Sequence, residues 1–154
     1  MTVIHQEDLV RSIATIIRQE DFIQSIADAF QYISYYHPVD YIKALAQAYE
    51  REERAAAKDA IAQILINSRM CAEGHRPICQ DTGIALVFLK VGMDVRWDAT
   101  LSVQEMVNEG VRRAYLDPGN KLRASVLLDP AGKRINSKDN TPAVVHYKIV
   151  PGER

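Results

Sequence analysis

The chain has 154 residues, enough for one domain with a moderate core, and its 47% hydrophobic and 25% charged content is that of an ordinary folded protein. A net charge of -1 gives no electrostatic basis for a nucleic-acid or anionic-membrane partner. No apolar run approaches the roughly 20 residues that span a bilayer, and residues 1–8 lack the basic start and apolar centre of a secretory signal, so the chain reads as cytoplasmic.

From residue 7 to residue 33 apolar side chains recur at helical spacing: Leu9, Val10, Ile13, Ile16 and Ile17, then Ile23, Ile26, Ala27 and Phe30. Gln19, Glu20 and Asp21 are candidates for a break between two helices. His37-Pro38 marks a boundary, because proline suits a first helical turn and disfavours helix just before it. A further helix follows, with Tyr41, Ile42, Leu45 and Tyr49 on one side. Arg51, Glu52, Glu53 and Arg54 read as a solvated junction. Residues 55–68 form a strong alanine-rich helix. Tyr35 and Tyr36 read as packing residues.

Residues 67–83 read as a loop. It carries Cys71, Gly74, His75 and the densest group of chemically useful side chains in the chain, Arg76-Pro77-Ile78-Cys79-Gln80-Asp81-Thr82-Gly83. The apolar run 84–91, ended by Gly92, predicts a buried strand. Ser102 and Glu105 match a capping box, which predicts a helix to about Tyr115 with Met106, Val107, Val111 and Ala114 facing the core. Asp117-Pro118-Gly119-Asn120 predicts a turn, residues 123–128 a second strand, and Asp129-Pro130-Ala131-Gly132 another turn. Residues 133–140 are polar and expected at the surface. Residues 143–150 predict a third strand, rich in β-branched and aromatic side chains. The expected fold is therefore α/β, of the α+β kind. One domain covers residues 1–154, mainly helical to residue 70, with the motif loop and a small mixed sheet from residue 71. The ending Pro151-Gly152-Glu153-Arg154 looks like a cut at a turn.

The chemistry centres on the loop. The two cysteines make no disulfide framework, and the seven residues between them do not match a zinc-site spacing. Cys79 is able to ligate a metal, to act as a nucleophile, or simply to pack. One chain with two thiols cannot complete an iron–sulfur cluster alone. Asp81 suits general acid–base work or the capping of a turn. Gln80 suits a substrate carboxylate or the backbone. Arg112, Arg113 and Arg123 each suit bidentate binding of an anion. The first two sit in a helix, where a solvated face is expected, which leaves Arg123 as the better candidate. His37 and His146 read as structural.

At Cys79-Gln80-Asp81-Thr82-Gly83 the sequence resembles the class I, iron–sulfur fumarate hydratases. The resemblance extends in order through residues 33–41 (ISYYHPVDY), 67–74 (NSRMCAEG), 91–97 (VGMDVRW), 122–125 (LRAS) and 139–147 (DNTPAVVHY). The tartrate dehydratase α-type chains share the signature with less similar flanks. In the fumarate hydratase family three cysteines hold a [4Fe-4S] cluster with one iron open to substrate, and fumarate is reversibly hydrated to (S)-malate, a tricarboxylic acid cycle step. The resemblance implies that Cys79 is the first cluster ligand. Gln80 would contact a substrate carboxylate, Asp81 would belong to the acid–base machinery, and Arg123 would bind a carboxylate. Cys71 matches no cluster position. Family members are much longer, so the chain looks like the N-terminal portion of such an enzyme, inactive alone, with the other ligands in a missing C-terminal region or partner chain. A homodimer is the expected assembly. Two alternatives are a tartrate-dehydratase-like α chain and a non-catalytic, dimerising or anion-binding module.

Overall fold

The computed structural model describes residues 16–79 and 83–152. Among them the order is β1 (Ile16–Arg18), α1 (Gln19–Tyr35), α2 (Val39–Arg51), α3 (Ala55–Gly74), β2 (Leu86–Gly92), β3 (Arg96–Asp98), α4 (Val103–Leu116) and β4 (Val144–Val150). This is the mixed α/β architecture expected. The part of the first helical pattern before residue 16 lies outside the described residues.

Gln19, Glu20 and Asp21 do not separate two helices. They open α1, with Glu20 and Asp21 in its first turn, where carboxylates complement the helix dipole. The residues just before them, Ile16–Arg18, form a short strand paired in parallel with β3. Phe22 closes over that pair, its ring edge-on to Trp97 at 5.3 Å. The chain turns at His37-Pro38 as expected, and α2 starts at Val39. Helix α3 runs past residue 68 to Gly74. It ends where His75 adopts a left-handed conformation at φ 46° and Arg76 N–H reaches back to the Cys71 carbonyl at 3.1 Å. The loop is therefore shorter than expected and begins at His75. The capping box holds: Ser102 Oγ accepts from Glu105 N at 3.3 Å, and Glu105 Oε2 accepts from Ser102 N at 2.8 Å.

Strands β2 and β4 pair in parallel, from Leu86 with Val144 to Gly92 with Val150. Both described strand pairs are parallel, whereas a mixed sheet was expected. Parallel neighbours need a crossover connection, and here it contains α4. Helix α4 covers one face of the pair and packs on α1. Ile26, Ala27 and Phe30 of α1 meet Val107, Val111 and Ala114 of α4 over Ala85 and Ala143, with Val87 and Val145 against them. The four α4 side chains expected to face the core do so. Among the described residues the opposite face has no such cover, so β2 is not the buried strand its continuous apolar run predicts. Leu86 is 55% and Phe88 75% exposed, and Phe88 stacks on His146.

No strand forms over residues 123–128. The amides of Ser125 and Val126 are taken by the Asn140 side chain, at 2.8 and 3.2 Å, instead of by a neighbouring strand. Only an isolated bridge between Leu127 and Asn136 remains. Residues 133–139 lie at or near the surface as expected, but Asn140 is wholly buried at φ 61°.

Arg112 and Arg113 are not merely solvated. Arg113 pairs with Glu109 on its own helix and with Glu20 on α1, and Arg112 pairs with Glu109 and with Asp139. Burial pushes the Glu109 and Asp139 carboxyls up. For Glu109, hydrogen bonds from Arg113 and Arg112 outweigh burial. For Asp139, hydrogen bonds from Thr141 and Arg112 do so. Both carboxyls end below their ordinary values of 4.5 and 3.8. A depressed folded value means that the unfolded chain binds protons more readily. The stabilisation is thus complete above the ordinary carboxylate range and is lost as pH falls through it toward the folded values. Urea midpoints measured from neutral pH downward are expected to stay level and then drop below about pH 4.5. Asp139→Asn is expected to flatten part of that drop, and an unchanged acid limb would contradict the assignment.

Candidate functional site

Two features bring the motif loop to one place. On its entry side, Ile78 N–H donates to the Ser34 carbonyl of α1 at 2.9 Å, and Asn67 Nδ2 of α3 donates to the Ile78 carbonyl at 3.1 Å. Beneath them lies the buried Cys71, whose thiol sits 3.5 Å from the Pro77 carbonyl. Cys71 thus faces the inside of the loop, while Cys79 is exposed. On the exit side, Gly83 takes φ 56°, a conformation that disfavours a side chain, and its carbonyl accepts from Ser125 Oγ and Asn140 Nδ2, both at 3.2 Å. Both ends of the signature are fixed. Its middle, Gln80, Asp81 and Thr82, lies outside the described residues.

Cys79 borders a groove of about 480 Å³. Phe30, Ser34 and His37 line it from the end of α1 and the turn after it, and Tyr115 and Leu122 from α4 and the segment beyond. The described lining carries no carboxylate. Burial raises the Tyr115 hydroxyl above its ordinary value of 10.0, so that group stays protonated and able to donate. His37 is oriented by its neighbours: its Nδ1 is 3.0 Å from Ser68 Oγ, and its ring stacks on Tyr41.

Arg123 is exposed on the irregular segment between Leu122, which lines the groove, and Ser125, which is hydrogen-bonded to Gly83. It is not at the start of a strand, yet its segment runs beside the motif. Of the four site residues expected from sequence, Cys79 and Arg123 are carried on adjoining segments, and Gln80 and Asp81 fall between the two fixed ends of the loop. Among the described residues, no three His, Cys, Asp or Glu side chains come together to hold a metal. The donor set fits one thiolate ligand to a cluster and no more, because Cys71 is turned under the loop.

The sequence reading missed Asn67, Ser125 and Asn140, which hold the loop. Asn140 alone carries a legible signal: asparagine tolerates a left-handed conformation and bonds to backbone through its short side chain.

A parallel strand–helix–strand unit thus presents an exposed cysteine on a pinned loop, beside a groove and an arginine-bearing segment. The sequence profile described as fumarate hydratase (Fumerase) matches residues 23–154, and the chain belongs to that family. It is 33% identical over 91 residues to the anaerobic class I fumarate hydratase of Escherichia coli, covering 59% of this chain and 16% of that protein. It is 28% identical over 125 residues to fumarate hydratase 2 of Leishmania major, covering 80% of this chain and 22% of that one. It is also 33% identical over 87 residues to a protein of Methanocaldococcus jannaschii named as an L(+)-tartrate dehydratase alpha subunit, covering 56% and 30%. The chain thus spans less than a third of the length of these curated relatives. Among the described residues no helix is long and apolar enough to cross a membrane.

Proposed function

We propose that residues 1–154 form one domain of a class I, iron–sulfur fumarate hydratase, a hydro-lyase interconverting fumarate and (S)-malate. The observation that carries this reading is the exposed Cys79 on a loop fixed at both ends beside the Arg123 segment. Cys79 would hold one iron of a [4Fe-4S] cluster, and the remaining thiolates would come from a further region of the protein or a partner chain. When bound, the cluster supplies a Lewis-acidic iron that polarises the substrate hydroxyl. Arg123 clamps one carboxylate of the dianion through its planar guanidinium, and the Gln80 amide donates to a carboxylate. Asp81 takes or returns a proton near the substrate hydroxyl. The reading includes a cytoplasmic homodimer.

A second reading, dehydration of tartrate, is favoured by the similarity to the Methanocaldococcus jannaschii protein. A chimera separates the two. The matched 91 residues of the Escherichia coli enzyme are replaced by their counterparts from this chain, and the cluster is rebuilt anaerobically. The expected result is fumarate hydration that Cys79→Ser reduces by at least about 100-fold, comparable to losing a key catalytic group. Turnover of L(+)-tartrate alone would support the second reading. A folded chimera with a cluster and neither activity would overturn both. The isolated chain, treated in the same way, is expected to show neither the full iron content nor turnover.

A further inference from the structure

The segment 139–143 is tied to α4 at three points. Arg112 Nε donates to Asp139 Oδ2 at 3.1 Å, Ala143 N–H donates to Asn108 Oδ1 at 2.9 Å, and Gln104 Nε2 donates to the Ala143 carbonyl at 3.0 Å. Asp139 also holds Thr141 through both its amide and its hydroxyl. Helix α4 is itself locked in the core, with Val107 and Val111 wholly buried. Asn140 stands in the middle of this anchored segment, is fully buried, and reaches two other segments at once. Its Oδ1 accepts from Ser125 and Val126, and its Nδ2 donates to the Gly83 carbonyl. One amide thereby holds the end of the Cys79 loop and the segment carrying Arg123 on the same rigid helix.

We infer that Asn140 is a positioning residue: through Gly83 on one side and the Ser125 and Val126 amides on the other, it holds the Arg123 segment against the Cys79 loop so that an anionic ligand meets both. The inference rests on the reading of Arg123 as an anion-binding group beside Cys79. A purely structural asparagine would affect stability without affecting how the thiol meets charge.

The test uses the whole chain with Cys71→Ala, leaving Cys79 as its one thiol, and compares alkylation by anionic iodoacetate with alkylation by neutral iodoacetamide. An arginine held near the thiol favours the anion, and the advantage fades as salt screens it. Arg123→Gln is expected to lower the iodoacetate-to-iodoacetamide rate ratio about 3-fold or more at low ionic strength. Asn140→Gly keeps the left-handed backbone accessible and removes the side chain. It is expected to lower the ratio to the same level, with no further fall in the double variant. Val145→Ala, a core change, is expected to weaken the fold without moving the ratio. If Asn140→Gly does not fold by circular dichroism, Ser125→Ala takes its place: it removes one bond to Gly83 and is expected to lower the ratio partway. A ratio unchanged by Asn140→Gly, or by Ser125→Ala in its stead, while Arg123→Gln lowers it, overturns the inference and leaves the reading of Arg123 intact. A ratio that Arg123→Gln does not move overturns both.

Discussion

Gly110→Val is expected to destabilise the chain by about 3 kcal/mol, at the upper end of what overpacking a core usually costs. Gly110 lies on α4 where it crosses α1. A Cβ there would sit 2.6 Å from Ile26 Cβ, 2.7 Å from Ile26 Cγ2 and 2.7 Å from the Ile23 carbonyl. One of those atoms is helix backbone, which no rotamer change can move aside. Alanine at this position gains up to about 1 kcal/mol of helix propensity and still meets the same three atoms, so it too is expected to lose stability, by less. Urea denaturation followed by far-ultraviolet circular dichroism reads both effects. A variant as stable as the parent would mean that α1 shifts away from α4 at little cost, and the close crossing would then not be a constraint.

The second large effect concerns Tyr35, the last residue of α1. It is 2% exposed, its hydroxyl donates to the Asn120 carbonyl in the turn after α4, and its ring stacks on His75 at the end of α3. Three helix ends meet on this one side chain. Tyr35→Ala is expected to cost about 3–5 kcal/mol, the range for emptying a buried aromatic site. Tyr35→Phe keeps the ring and leaves the Asn120 carbonyl without that donor, at a cost of about 1–2 kcal/mol. The neighbouring Ser34 carbonyl holds Ile78, so the alanine variant is also expected to speed alkylation of Cys79. Equal losses for the two variants would show that the hydroxyl, and not the ring, matters at this junction.

Local signals in the sequence were reliable where the physics is local. The Ser102–Glu105 cap, the break at Pro38 and the turn at residues 117–120 each involve groups a few residues apart, and each formed as expected. The larger failures came where a distant partner decides. The apolar run at residues 84–91 reads as buried on both faces, but burial depends on layers, and among the described residues only the α4 face is covered. Residues 123–128 have strand composition, yet Asn140, 15 residues beyond Ser125, captures their amides. Glu20 opens α1 because its charge suits a first turn, but its pairing with Arg113 is 93 residues away and left no trace in sequence. The site divides in the same way. Cys79 and its motif are legible as a compact group of reactive side chains. The partners of the asparagines that fix the loop are not, because they are set by contacts between segments far apart in the chain.

The side of the β2–β4 pair that is uncovered among the described residues also bears on how the isolated chain is expected to behave in solution. Leu86, Phe88 and Val144 offer an adhesive apolar surface next to strands whose outer edges are open among the described residues. With a net charge of -1, little mutual repulsion keeps two copies apart. Crowding the isolated chain at high concentration is therefore expected to favour self-association through this face. Moderate dilution, and a pH away from the isoelectric point near 6.4, favour separate molecules.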